Sequence, residues 1–358
     1  MAWNDSMQAL SYGHPLRLND SYAKISPIKR ALRTKAFPLF VLLVVVVAVF
    51  TVLSPLSNDG FQAFFRIKTL WRILQDLAVP GFLTIGVGLL IVSGSIDLCA
   101  ASVGSLSGVI IAVCMAWTNI SWPVAIVIAL ATAAAIGVIN AILVNELKQP
   151  PFIATMAMSI ILTAVMQIIC TDKTGQIIGL VNFSNDSIQQ IGTYKIFGEI
   201  PAASLVMVLF FIIYGLALAK SKFGRTLYLI GGNQTAAHLA GINAKKFSYF
   251  LFINSSVLAS FSGIINASRV KMGGAQALAY MQFTGITAAI LGGISFGGGS
   301  GGLGGAFLGL LVINTFSTGM TSSGASPYMT PVLSGILLIA ALTFDYFNIR
   351  AQNKRVGA

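Results

Sequence analysis

Apolar and polar residues along this chain do not alternate at short period. They fall into long blocks. Runs of about 20 residues dominated by Val, Leu, Ile, Ala and Phe recur from residue 37 to residue 347, the length a helix needs to cross a bilayer core. They predict ten spans, at roughly 37–56, 77–93, 98–117, 122–146, 152–170, 201–219, 248–268, 283–296, 302–319 and 329–347. Residues 57–76 set Arg66, Lys68 and Arg72 among Phe61, Phe64, Phe65, Leu70 and Trp71, which predicts an amphipathic helix lying at the interface. Two polar connections stand out, 171–200 and 220–247. The expected fold is an all-α, polytopic integral membrane protein. Residues 1–36 form a basic N-terminal segment, 37–347 the transmembrane domain and 348–358 a C-terminal tail.

Composition strengthens this reading. The 358 residues are 56% hydrophobic and 9% charged, with a mean hydropathy of +0.85, whereas soluble domains carry about 25% charged residues. The first apolar run begins late and has full spanning length, so it reads as an uncleaved span rather than a signal peptide.

A net charge of +12 would suit a nucleic-acid partner, but its distribution points elsewhere. With the N-terminus placed in the cytoplasm, ten spans put fifteen of the 22 Lys and Arg residues inside and seven outside. Cytoplasmic loops of membrane proteins collect basic residues. Both termini are therefore expected in the cytoplasm, residues 220–247 become a cytoplasmic loop, and no nucleic-acid partner is implied.

Two stretches break the apolar pattern inside the membrane. "VSGSIDLCAASVGSLSG" spans 92–108, and "LGGISFGGGSGGLGG" spans 291–305 with nine glycines in fifteen positions. Each joins an outside-to-inside span to its successor, which predicts two pseudo-repeated halves with short or broken helices. Such interruptions at corresponding places point toward a transport path; small residues also let helix backbones approach closely. The glycine run is not a phosphate-binding loop, which needs a Lys after its last Gly, and no Lys or Arg occurs between Lys271 and Arg350.

Candidate chemistry is sparse. Cys99, Cys114 and Cys170 lie in or beside apolar segments without ligand spacing, and His14 and His238 stand apart, so no metal site or catalytic set is expected. Asp97 lies between two apolar spans, where an acid either serves function or caps the helix that follows. Ser93, Asn140, Phe152, Thr155, Gln167, Asn254, Asn266 and Asn314 lie within spans and can bond a hydroxylated solute or a neighbouring helix, the latter contact being worth about 0.6–2 kcal/mol. In the cytoplasmic loop, Asn233 is placed to cap a short helix running to Ala240, with Gly241 ending it. That helix would present Ala236, Ala237 and Ala240 to a partner.

Four blocks carry a resemblance. "LLIVSGSIDLCAASVGS" (89–105), "GRTLYLIGGNQTAAHLAGINAKKFSYFLFINSSVLASFSGIINASR" (224–269), "AAILGGISFGGGSGGLGGAFLG" (288–309) and "SPYMTPVLSGILLIAALTFDYF" (326–347) resemble, in order, permease subunits of bacterial ATP-driven importers for ribose, xylose and related sugars. Where that family commonly carries an acidic pair before the glycine block, this chain has Gln282 and Thr284. The resemblance implies translocation of a simple sugar or small polyol across the bacterial inner membrane, and it adds Gln282 to the candidates for the path. It places the ATPase dock in the loop containing Asn233–Gly241. ATP and Mg would be bound by separate ATPase subunits, with no cofactor in this chain. The implied partners are a second permease, identical or related, and a periplasmic or lipid-anchored sugar-binding protein, all within membrane lipid. An ion-coupled secondary transporter of a small neutral solute is the alternative.

Overall fold

The computed structural model describes residues 36–54, 64, 66–171, 179–324, 326, 329, 331, 332 and 335–343. The helices in order are α1 Ala36–Leu53, α2 Ile67–Val92, α3 Ala100–Ala116, α4 Trp122–Asn145, α5 Pro151–Ile169, α6 Asp186–Thr193, α7 Ala202–Lys220, α8 Lys222–Gly232, α9 Gln234–Leu239, α10 Ala244–Val270, α11 Met281–Leu291 and α12 Leu303–Ser322. Residues 335–343 add a further helix, α13. Four strands complete the set: β1 Leu180–Asn182, β2 Lys195–Ile196, β3 Ile200–Pro201 and β4 Met272–Gly274. The all-α membrane architecture is confirmed. Six of the described helices are long and apolar enough to cross a bilayer: α2, α4, α5, α7, α10 and α12. The basic segment 1–35 and residues 344–358, including the end of the tenth predicted span, lie outside the described residues.

Two boundaries differ from expectation. Of the interfacial helix predicted over 57–76, residues 57–63 and 65 lie outside the described residues, and 67–76 form the first turns of α2 rather than a separate helix. Pro80 lies inside α2, where a missing N–H and a bulky ring disturb the preceding turn. Side chains from three other helices meet the carbonyls just before it. Asn314 donates to Ile73 O at 2.8 Å, Ser204 to Leu74 O at 2.6 Å and Arg269 to Gln75 O at 3.2 Å. The helix therefore continues through the proline. The eighth predicted span is only the 11 residues of α11, about 16 Å at 1.5 Å per residue, too short for a core of about 30 Å.

The core forms around α2 and α10. From Leu77 to Val92 every residue of α2 is buried, and α10 packs against α2, α3, α4 and α6. Glycines set the spacing. A Cβ on Gly263 would lie 1.8 Å from Gly104 O, so α3 and α10 touch backbone to backbone. By contrast, α5 and α7 turn Ile160, Ile161, Val165, Leu209, Ile212 and Ile213 outward, as lipid-facing helices do.

The described part of the connection predicted as a loop over 171–200, residues 171 and 179–200, caps one end of the bundle. Its β1 pairs antiparallel with β4, Val181 opposite Gly273, and Asn185 caps α6 by accepting from Ile188 N at 3.2 Å. Lys271, in the left-handed region at φ 53°, ends α10 and reaches Asp186 at 2.6 Å. Helices α8 and α9 occupy the opposite end, in place of the second polar connection.

Candidate functional site: two broken helices and a polar path

The break between α2 and α3, residues 93–99, is unwound backbone inside the bundle, tolerable in a membrane only when protein groups satisfy it. Three side chains do so, and a fourth, Ser255, braces one of them. Asp97, fully buried, accepts from Cys99 N at 2.7 Å through Oδ1 and from Ser255 Oγ at 2.8 Å through Oδ2. Thr155 Oγ1 accepts from Leu98 N at 3.0 Å. Gln282 uses both ends of its amide: Oε1 accepts from Ala101 N at 2.8 Å and Nε2 donates to Asp97 O at 2.8 Å. Asp97, Thr155 and Gln282, which the sequence offered separately, thus meet in one cluster that fixes the start of α3. Ser255 is the member that sequence reasoning missed; its only signal was a hydroxyl pair, Ser255-Ser256, within an apolar helix.

The second break lies between α11 and α12, and the two breaks touch. Gly299 N donates to Val92 O at 2.9 Å. A Cβ on Gly298 would sit 2.9 Å from Gly94 Cα, and one on Gly231, near the end of α8, would sit 1.9 Å from Val92 O and 2.6 Å from Gly299 N. Tyr228 of α8 adds a bond from its hydroxyl to Gly301 O at 2.6 Å. Three chain segments therefore meet with almost no side chain between them: both helix breaks and the segment α8–α9. The glycine run serves intrachain packing. A Cβ on Gly292 would lie 2.3 Å from Ala306 N, and one on Gly305 1.9 Å from Gly292 O, so much of this small-residue surface is already covered within the chain.

The remaining candidates separate. Ser93 lines a polar cavity of about 400 Å³ at the α8–α9 end, with Ser95, Asn145, Lys148, Gln234 and Ser248. Asn314 and Asn266 line a second cavity of about 350 Å³ at the opposite end, between α2, α10, α11 and α12. The cluster around Asp97 lies between the two along α2 and α10. The positions matching the family's acidic pair part company: Gln282 joins the cluster, whereas Thr284 lines the second cavity. Asn254 accepts from the Tyr214 hydroxyl, and Asn140 is buried without a hydrogen-bond partner. Phe152 is 51% exposed on the outside of α5, and it is absent from the linings of both cavities. Gln167, half-buried on α5, is likewise absent from the linings of both cavities.

The short helix foreseen after Asn233 is α9. Asn233 caps it, accepting from Ala236 N at 2.9 Å, and Gly241 at φ 76° follows its end. Ala236 and Ala240 are exposed, but Ala237 is buried against this chain, so it is not available to seat on a partner. Leu239, 82% exposed, is the apolar group that α9 presents, a residue the alanine pattern concealed. At the same end, Lys245 Nζ lies 2.7 Å from Glu146 Oε2 and the Tyr249 hydroxyl donates to Oε1 at 2.9 Å. The Lys245 hydrogen bond, aided by Tyr249, holds the Glu146 carboxyl below the usual carboxylate range. No cluster of three or more His, Cys, Asp and Glu suited to a metal occurs among the described residues.

Residues 69–342 match the family described as the branched-chain amino acid transport system / permease component. The ribose import permease protein of Escherichia coli (strain K12) is 29% identical over 303 residues, covering 85% of this chain and 91% of that protein. Its counterpart in Bacillus subtilis (strain 168) is 30% identical, covering 86% and 90%. The L-arabinose transport system permease protein of Escherichia coli (strain K12) is also 30% identical, covering 87% and 91%. The chain belongs to the family of sugar ABC-transporter permeases, multi-pass membrane proteins, of which these three are members.

Proposed function

We propose that this chain is the solute-translocating subunit of a bacterial ATP-driven importer, carrying a pentose or related small neutral polyol across the inner membrane. The observation that carries the reading is the junction of Gly231, Val92 and Gly299. A segment at one end of the bundle is joined backbone to backbone to both helix breaks, so force applied to α8–α9 reaches the interrupted helices without passing through flexible side chains. Separate ATPase subunits supply that force by docking on α9, a second permease completes the path, and a binding protein delivers the solute at the other end. Both termini face the cytoplasm, in keeping with the distribution of basic residues. Asp97, the only fully buried carboxylate among the described residues, is engaged through both oxygens, which suits a helix-fixing role better than a proton relay.

Reconstitution of the complete transporter in proteoliposomes tests this. Uptake of radiolabelled ribose or L-arabinose should require ATP and stop when the ATPase partner's catalytic glutamate is replaced. Uptake that follows a proton or sodium gradient without ATP would establish the secondary-transport alternative instead.

A further inference from the structure

The cavity at the end opposite α8–α9 has a composition that packing alone does not require. Its volume of about 350 Å³ falls at the small end of ligand pockets, about 300–1,000 Å³, a scale suited to one monosaccharide. Its wall contains an ion pair: Arg269 Nη2 lies 2.8 Å from Asp76 Oδ1. The Arg269 guanidinium is also tied to Gln75 O at 3.2 Å, so the pair is held in place. Asn314 donates Nδ2 to Ile73 O and keeps its carbonyl oxygen for another donor. Asn266 on α10 and Thr318 on α12 line the cavity, and their side chains make no hydrogen bond to the described chain. Thr318 is only 4% exposed. Its hydroxyl is not among the buried side-chain atoms sealed off without a partner, so it opens toward the cavity it lines. Thr284 adds a hydroxyl committed only to its own helix, at 3.3 Å.

We propose that this cavity is the entry subsite for the transported solute, with the Asn266 carboxamide and the Thr318 hydroxyl bonding the cargo directly. The Asp76–Arg269 pair forms a wall that both donates and accepts. The proposal rests on the functional reading above and gives the cargo its chemical class. A neutral polyhydroxylated molecule matches paired charges flanked by neutral donors and acceptors. A sugar acid would meet the Asp76 carboxylate, and an amino sugar would meet the Arg269 guanidinium. Arg72, 62% exposed and 3.9 Å from Asp76 Oδ2, lies at the rim.

The test uses the assembled transporter in inside-in proteoliposomes, with Thr318→Cys on the native background, whose Cys99, Cys114 and Cys170 are buried. A membrane-impermeant thiol reagent added outside should label this cysteine. The pentose used for uptake, at saturating concentration, should slow labelling at least about threefold, as loss of one hydrogen bond to free cargo would predict. Thr318→Val should lower uptake by about three- to tenfold at equal assembled protein, and Thr318→Ser should restore it. A cysteine that is unreactive from outside, or labelled at one rate with and without pentose, overturns the proposal. So does protection by a sugar acid alone, or a Ser variant as impaired as the Val variant. Protection that persists with a catalytically dead ATPase separates the subsite from the energy source: ion-driven uptake with intact protection would refute only the coupling, and ATP-driven uptake without protection only the subsite.

Discussion

Replacing Gly231 by Ala adds one methyl group at the place where three backbone segments meet. Its Cβ would sit 1.9 Å from Val92 O and 2.6 Å from Gly299 N. Ordinary van der Waals contact begins at 3.4 Å, so Val92 O and the Gly231 backbone must part by about 1.5 Å, a strain of the kind that costs about 1–3 kcal/mol when a close-packed site is overfilled. That movement also breaks the Gly299 N–Val92 O bond of 2.9 Å, taking its donor from the carbonyl of the fully buried Val92 at a further cost of about 1–3 kcal/mol. Together the two effects predict a loss of about 2–6 kcal/mol, less where relaxation is shared. The neighbour Gly232 is an internal control, because a Cβ there meets nothing within 4 Å. The assay compares both variants in the assembled transporter by thermal stability in detergent, ATP hydrolysis and solute uptake. Gly231→Ala should lower the melting temperature and reduce solute moved per ATP hydrolysed, whereas Gly232→Ala should match the parent in both. If the two alanine variants behave alike, the junction is not what joins the ATPase-side segment to the helix breaks.

Four further expectations follow from other parts of the molecule. Leu239→Asp, at an exposed tip, should leave folding intact and abolish copurification with the ATPase subunits; retained binding would remove α9 from the dock. Asp97→Ala should reduce assembled protein by leaving the buried Cys99 N and Ser255 hydroxyl without their acceptor, at about 1–3 kcal/mol for each unsatisfied donor, and Asp97→Asn, which keeps an acceptor for Cys99 N, should be milder; equal inactivation at full yield would instead mark a carboxylate that binds cargo. The Glu146 carboxyl is depressed in the folded chain, so its contribution is present above the usual carboxylate pKa of about 4.3 and is lost as pH falls through the lower folded value. Amide exchange at the α4 and α10 ends should thus be constant from neutral pH to about 5 after correction for intrinsic rates, and Glu146→Gln should remove the acid-induced loosening seen below that. Single cysteines at Leu10, Gln190, Thr235 and Arg355 should react from the inside, outside, inside and inside; outside reaction at Thr235 would invert the orientation.

The long apolar blocks made most of the membrane helices legible, and the Asn233 and Gly241 signals marked α9 to within a residue. What escaped were contacts between positions distant in sequence. The charges of 66–72 imitate a surface helix, yet Asp76 is paired with Arg269, 193 residues away, and α2 runs through unbroken. Asp97 was read as either a cap or a functional acid; its first oxygen bonds Cys99 N just ahead of a helix whose N-cap position is Cys99, and its second meets Ser255, a contact only the tertiary fold could reveal. Alanine spacing on α9 could not tell which face this chain itself would cover, so Ala237 was misplaced and Leu239 overlooked. Thr318 looked like an ordinary small polar residue in an apolar span until the helices brought it to one cavity with Asn266, which the sequence had offered only as one of several in-span amides.

One consequence of α10 concerns leverage. This helix is unbroken over 27 residues, about 40 Å at 1.5 Å per residue. One end adjoins α9 through the short turn at Gly241–Asn243, and the other carries Arg269. A rod of that length pivoting at its close backbone contact with α3 converts a tilt of about 5° into a relative displacement of about 3.5 Å between its ends. The pivot lies nearer the far end, since Gly263 is 19 residues from Ala244 and 7 from Val270. Stroke applied at the ATPase side would then be geared down, roughly two- to threefold, into a shorter and more forceful movement at the wall holding Asp76 and Arg269, as for a rigid lever with unequal arms.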